Sequence, residues 1–98
     1  MNDVLRPAHF QGLSEPLEVD LAVGSAARRV LLAVKSVTAL RAHHLREEPF
    51  SLLLSGPHEP LLPQATYRVR HPVLGPVEMF LVPVARDASS VDYEAIFN

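Results

Sequence analysis

The stretch Ala65–Val84 constrains the fold more than any other, because it combines the alternation of a strand with the residues of a tight turn. In its first part, A-T-Y-R-V-R-H, aromatic and apolar side chains alternate with threonine and two arginines, and this period of two is typical of a β-strand. The next residues, P-V-L-G-P, include the proline and glycine that reverse a chain. We therefore predict a hairpin here, with the other segments pairing with it or covering it.

The second arm of this hairpin, Val77–Val84, is apolar at nearly every position except Glu78. Strands that are covered on both sides have such continuous apolar runs. We therefore expect this arm to be buried on both faces.

Three further segments are predicted to be strands. Leu17–Val23 alternates apolar residues with acidic or small ones, which is the pattern of a strand with one buried face. Phe50–Ser55 is apolar on both faces in its middle, so we expect it to be central in a sheet. Val91–Asn98 supplies the last strand and carries its aromatic residues on one face.

The segment Ala26–His44 fits two structures. Val30, Val34 and Val37 have the spacing of a helical stripe, whereas Val30, Leu32 and Val34 fit a strand. Because β-branched valine favours strands, we choose the strand. It is predicted to begin near residue 29 and to contain a bulge or break near residue 36, where the alternation changes parity.

About six short strands without a long helix are the signature of an all-β domain, either a small antiparallel β-sandwich or a partly open β-barrel. A chain of 98 residues has room for one hydrophobic core, so we predict a single domain over residues 1–98. Phe10 and Leu13 are expected to anchor the N-terminal arm to this core. The charged residues 41–49 are expected to form a solvated loop.

Composition excludes several classes of function. A net charge of −2 with scattered Lys and Arg gives no basic surface for nucleic acid. The absence of cysteine excludes disulfides and thiolate metal sites. The longest apolar run, Val30–Val34, is too short for a membrane span, and the first residues lack a secretory signal. We expect a cytoplasmic protein without a cofactor, with no nucleic acid or membrane as its partner.

Several runs together resemble a known family. They are P-F-S-L-L-L-S-G-P at Pro49–Pro57, L-P-Q-A-T-Y-R-V-R-H-P-V-L-G-P at Leu62–Pro76, F-L-V-P-V at Phe80–Val84 and Y-E-A-I-F-N at Tyr93–Asn98. The chain resembles a bacterial family of domains of unknown function of about this length, whose sequences commonly end in Y-E-A, a hydrophobic residue, F and N. The resemblance implies no catalytic residues. It implies an association with phage-tail-collar-like fibre proteins.

Two clusters have the residue types of a reactive site. His43-His44-Leu45-Arg46-Glu47-Glu48 places histidine and carboxylate at the spacing of metal ligands, but two ligands do not make a stable site, so we expect a solvated loop. Ser55-Gly56-Pro57-His58-Glu59 contains serine, histidine and acid, but lacks the strand-turn-helix elbow of a hydrolase. We interpret it as turn chemistry and predict no catalysis.

Five single residues remain as candidates. We expect His71, before a proline, to hold the hairpin turn by a hydrogen bond to the backbone rather than to carry protons. Glu78 and Glu94 are predicted to be the carboxylates nearest the core, and pairing with Arg68 or Arg70 across the sheet is their ordinary explanation. These two arginines share one face of the hairpin.

Two hypotheses of function follow. The first is a non-enzymatic interaction or assembly module, which self-associates or binds a larger protein, plausibly a tail-collar-like fibre protein. Its binding surface would be an exposed strand edge or an apolar rim, formed by Leu61, Leu62, Arg68 and Arg70. The alternative is a ligand-binding or enzymatic barrel. Its polar mouth would be formed by Tyr67, His71, Glu78 and Tyr93.

Overall fold

The computed structural model describes residues 6–13, 15–23, 26–40 and 49–97, with the backbone alone at residues 22, 23 and 26. The elements in chain order are a short 3-10 helix, Pro7–His9, and six strands: β1 (Leu17–Val23), β2 (Ala26–Ala39), β3 (Phe50–Gly56), β4 (Ala65–His71), β5 (Gly75–Arg86) and β6 (Val91–Phe97). The all-β prediction is confirmed. Of the predicted loop at residues 41–49, residues 41–48, which hold the histidine and glutamate cluster, lie outside the described residues.

The strands form a closed antiparallel barrel in the order β1-β2-β3-β6-β5-β4. The two long strands turn the corners, because each pairs with one neighbour through its first half and with another through its second. β2 pairs first with β1 and then with β3, and β5 pairs first with β4 and then with β6. The hydrogen-bond register shifts in both second halves, between Val34 and Ser36 and between Pro83 and Ala85. Such bulges bend a strand enough to close a small barrel.

The strand chosen for Ala26–His44 is therefore confirmed over the described residues. β2 begins at Ala26, three residues before the predicted start, because its first part pairs with β1 as a hairpin. The register shift next to Ser36 is the predicted bulge. β3 pairs with β2 on one side and β6 on the other, so its predicted central position is confirmed as well.

The core fills the interior of the barrel with the inward-facing side chains of all six strands. Alternate residues of β3 are buried, and so are Val91, Tyr93 and Ala95 of β6. Leu62, from the connector between β3 and β4, is also fully buried. Among the residues that the structure describes, the buried hydrophobic ones are Phe10, Leu17, Val19, Val30, Leu32, Phe50, Leu52, Leu54, Leu62, Val69, Met79, Leu81, Val91, Tyr93 and Ala95.

The prediction that the second hairpin arm is buried on both faces is wrong. Met79 and Leu81 of β5 are buried, but Phe80 and Val84 are each 49% exposed. The barrel has a single layer of strands, so the outward face of β5 has no second layer over it. Its apolar side chains therefore face solvent, and the continuous apolar run does not come from two-sided burial.

Aromatic rings close one end of the core. Phe50 and Phe97 are Cα partners on β3 and β6, and their rings stack with centroids 4.7 Å apart. Phe10, fully buried, packs against both at 5.8 and 6.0 Å. Leu13 also packs on the core, so both predicted anchors of the N-terminal arm are confirmed.

Two turns depend on specific residues. The β4–β5 turn closes at the His71–Gly75 pair, and Gly75 has φ of +74°, a backbone conformation that favours glycine. In the β5–β6 turn, Asp87 accepts hydrogen bonds from the backbone N–H groups of Ser89 and Ser90 at 2.8 and 2.9 Å. These two bonds are the main reason that the pKa of the Asp87 carboxyl lies below its ordinary value.

Candidate interaction surface

The two leucines of the predicted binding rim, Leu61 and Leu62, differ in burial. Leu61 is 48% exposed, but Leu62 has no exposed surface and belongs to the core. The prediction that Leu62 contributes to a binding rim is wrong, because its side chain is fully buried. Its backbone N–H donates to the buried hydroxyl of Tyr93 at 3.0 Å. Leu61 alone remains available to a partner.

Two tyrosine hydroxyls hold the connector between β3 and β4. Tyr93 accepts from the N–H of Leu62, and Tyr67 donates to the carbonyl of Pro63 at 2.5 Å. Burial raises the pKa of Tyr67, and the nearby Tyr93 raises it further. A tyrosine hydroxyl is neutral at pH 7 even at its ordinary pKa of about 10, so Tyr67 is in the form that can donate this hydrogen bond. These two candidate residues of a polar mouth therefore have structural partners.

His71 has the structural role that the sequence predicts. It is 4% exposed, and its Nδ1 accepts a hydrogen bond from the backbone N–H of Val73 at 3.0 Å. The acceptor role places the ring proton on Nε2, because a neutral imidazole carries one proton. Nε2 is buried and has no partner among the described residues. The imidazole thus holds the hairpin turn from inside.

The four residues of the predicted polar mouth do not meet at one mouth. Tyr67, His71 and Tyr93 have inward side chains, whereas Glu78 is exposed on the outer face of β5. The prediction that Glu78 lies near the core is wrong for the same reason of parity: its neighbours Val77 and Met79 face inward. Glu94 is half-buried on the outer face of β6.

Arg68 and Arg70 were both predicted to pair with a glutamate across the sheet, and the structure gives them different neighbours. Arg68 is the Cα partner of Glu78, as expected for neighbours across a hairpin. Arg70, however, forms its ion pairs with β1: Nη1 lies 2.8 Å from Oδ2 of Asp20, and Nη2 lies 3.5 Å from Oε1 of Glu18. Glu18 in turn lies 3.5 Å from Nε of Arg29. We call these four residues of β1, β2 and β4 the charge network.

The second reactive cluster is engaged in other contacts. His58 lies with Nε2 2.6 Å from the backbone carbonyl of Asp87, in the β5–β6 turn. Ser55 is on β3, opposite Ala33 and Asp92. Within the described part of the chain, no group of three or more metal-ligating side chains is close enough to hold an ion.

An apolar strip lies on the outer face of β5 and β6. Phe80 and Ile96 are 49% and 51% exposed. Val82 is paired with Glu94, and Phe80 and Ile96 lie two residues from these partners on β5 and β6, so all three apolar side chains point out of the barrel. We call Phe80, Val82 and Ile96 the apolar strip.

The sequence pattern missed both of these surfaces. Alternation in β1 marks Glu18 and Asp20 as outward-facing, but only the β1–β4 pairing brings them to Arg70. Phe80 and Ile96 appear core-like from hydrophobicity alone. Their parity relative to buried Leu81 and Ala95 is the signal that identifies them as outward-facing.

Comparison with known proteins gives one match. The family model described as a domain of unknown function, DUF6916, matches residues 5–97. No curated protein and no solved structure matches the chain. Where the structure describes the chain, it contains no helix with the length and apolar character needed to cross a membrane.

Proposed function

We propose a function for a chain that belongs to the DUF6916 family of domains of unknown function: it is a non-enzymatic interaction module that binds another protein through the outer face of its barrel. The observation that carries the proposal is the apolar strip. Exposed apolar groups on adjacent strands are typical of surfaces that bind a partner. The interior offers no comparable surface, since its strands meet in a packed apolar core.

The partner that we propose is a tail-collar-like fibre protein. The support for this partner is the resemblance in the C-terminal runs of the sequence, and the apolar strip supplies a surface on which such a protein would pack. Aromatic and aliphatic groups at the centre of an interface contribute most of the binding energy when they become desolvated. Phe80 is the anchor residue of this proposal.

Copurification from the native host tests the proposal. The tagged domain is expected to retain a fibre protein, identified by mass spectrometry, and Phe80→Asp or Ile96→Asp is expected to abolish its recovery. Both side chains are about half exposed, so the variants should keep the melting temperature within a few degrees. Leu61→Asp is the matched control, because it adds the same charge at an equally exposed leucine that is not part of the strip.

Loss of the fibre protein with Leu61→Asp but not with Phe80→Asp would contradict the strip as the binding surface. Self-association is measured in the same variants by sedimentation equilibrium. A dimer that Phe80→Asp dissociates, with no fibre protein recovered, would replace the fibre protein by a second copy as the partner.

A further inference from the structure

We infer that the partner also contributes a strand, which adds to the edge of β4 beside β1; this inference rests on the proposed interaction function. The barrel closes between β1 and β4 with the pairs Glu18–Arg70 and Val19–Val69 alone. β4 pairs with β5 along its whole length. Beyond the closing pairs, residues 20–23 of β1 and 65–68 of β4 continue without pairing to each other. We call these two segments the seam.

Proline shows which backbone groups of β4 face the seam. Arg70 is the Cα partner of Pro76, which has no N–H, so this pair cannot be one of the hydrogen-bonded pairs of the β4–β5 ladder. Hydrogen-bonded and non-hydrogen-bonded pairs alternate in an antiparallel ladder. Arg68 and Thr66 therefore share the parity of Arg70, and their N–H and C=O groups point away from β5, toward the seam.

The N–H of Arg68 and both backbone groups of Thr66 have no backbone partner in the described residues, whereas the C=O of Arg68 faces the N–H of Asp20, in the bond that flanks the Val19–Val69 pair. The pairing of residues between β1 and β4 ends at that pair. None of the backbone hydrogen bonds outside the ladders involves either residue. An edge with free donors and acceptors on alternate residues is what an added strand requires.

The chemistry of the seam selects the added strand. A cavity of about 500 Å³ opens there, lined by Asp20, Arg68, Arg70 and Pro76. Asp20 already neutralises Arg70 through two contacts, at 2.8 and 2.9 Å. Arg68 is exposed and forms no ion pair among the described residues. Among the residues that line this cavity the charge left unpaired is positive, so the added strand carries a carboxylate on the seam side of Arg68, across from its β5 neighbour Glu78.

The apolar strip is continuous with this edge. Thr66 is the Cα partner of Phe80, so a strand added along Thr66 and Arg68 lies one strand away from the exposed phenyl ring. A partner that packs on Phe80 therefore reaches the β4 edge without a long linker. The inferred partner segment is extended, has β-branched residues and contains an acidic residue.

Amide exchange of the free protein is the first test. The amides of Thr66 and Arg68 are expected to exchange at least tenfold faster than those of Tyr67 and Val69, whose N–H groups point into the β4–β5 ladder. Equal protection of all four amides would overturn the inference, because the edge would then have no free donors.

Titration of the ¹⁵N-labelled protein with a peptide is the second test. The probe is the acetylated and amidated hexapeptide Thr-Val-Glu-Val-Thr-Val, and its control has lysine in place of glutamate. The glutamate peptide is expected to shift and protect the amides of Thr66 and Arg68, and the lysine peptide to bind about fivefold more weakly or less. Shifts confined to other residues, or equal binding of the two peptides, would contradict the inference.

Variants separate this inference from the proposed function. Thr66→Pro removes an N–H that faces the seam, so it is expected to keep the fold and abolish binding of the peptide. Tyr67→Pro is the matched control, since it removes a ladder N–H and is expected to unfold the domain. Arg68→Glu keeps the backbone and is expected to reverse the preference between the two peptides.

Recovery of the fibre protein decides which proposal fails. If Phe80→Asp abolishes recovery while Thr66→Pro and Arg68→Glu leave it unchanged, strand addition is wrong and the interaction module stands. If the glutamate peptide protects Thr66 and Arg68 but Phe80→Asp leaves recovery of the fibre protein unchanged, the edge binds a strand and the apolar strip is not the docking surface.

Discussion

The β3–β6 and β1–β4 junctions of the barrel differ in the number of paired residues and in the groups that hold the two strands together. β3 and β6 pair along their whole length, from Phe50–Phe97 to Gly56–Val91, over a core of leucine, tyrosine and phenylalanine. β1 and β4 pair at two positions and are joined outside by the charge network. The first junction has the contacts that fold the domain, and the second has the backbone groups that the inferred strand addition would use.

This difference teaches that barrel closure need not be uniform. Burial of apolar area stabilises a fold far more than exposed ion pairs do. The β1–β4 junction has one fully buried pair, Val19–Val69, and exposed ion pairs outside it, so it is expected to contribute less to folding than the β3–β6 junction. The following substitutions test the contrast, from the largest expected effect to the smallest.

Leu54→Ala at the centre of β3 is expected to lower the free energy of unfolding by about 3 kcal/mol. Leu54 is fully buried opposite Tyr93, so truncation leaves a cavity that the surrounding strands cannot fill. Urea denaturation followed by circular dichroism measures the loss. Leu61→Ala, at an exposed leucine, is the control and should change stability by less than about 0.5 kcal/mol. A small effect of Leu54→Ala would place the stable core elsewhere.

Tyr93→Phe at the same junction is expected to cost about 2 kcal/mol. The ring remains, but the N–H of Leu62 loses its acceptor while it stays buried. Tyr67→Phe is the matched control. It removes a hydrogen bond to Pro63 that is exposed to solvent, so water can replace the hydroxyl. Equal losses in the two variants would show that the ring environments, not the buried N–H, decide the cost.

The strands of the first junction are largely predictable from the sequence. β6 alternates regularly, and β3 is a short apolar run that ends at a glycine and a proline, so in both strands the local pattern agrees with the tertiary burial. β2 was ambiguous because its bulge interrupts the alternation at Lys35, which is the same feature that bends the strand. The bulge thus obscured the alternation of apolar and polar residues from which a strand is predicted.

The outer surface was less predictable, since composition does not distinguish the inner face of a single-layer barrel from its outer face. For this reason the predicted burial of both residues was wrong. Phe80, expected to be buried, is half exposed, and Leu62, expected on an exposed rim, is buried. The seam could not be predicted from the sequence, because β1 and β4 are far apart in the chain and only closure of the barrel brings Asp20 to Arg70. No local pattern encodes such a pairing.

Arg70→Ala at the seam is expected to lower the free energy of unfolding by no more than about 1 kcal/mol. The side chain is 43% exposed, so solvent and salt screen its ion pairs with Asp20 and Glu18. Most of this loss should disappear in 1 M NaCl, whereas the loss from Leu54→Ala should persist. A cost of about 3 kcal/mol for Arg70→Ala would break the contrast between the two junctions.

Asp87→Asn is expected to have the smallest effect on stability, and that effect is expected only at acidic pH. Hydrogen bonds from Ser89 and Ser90 lower the pKa of Asp87 in the folded state, so the ionised carboxylate stabilises the β5–β6 turn above the ordinary carboxyl pKa of about 4. This contribution is lost as the pH falls through the lowered pKa. Thermal melts between pH 7 and pH 2 should therefore decline less steeply below pH 4 in Asp87→Asn than in the wild type. Glu15→Gln, at an exposed carboxylate outside the turn, is the control and should retain the wild-type slope. If Asp87→Asn also retained the wild-type slope, the β5–β6 turn would not contribute to the loss of stability in acid.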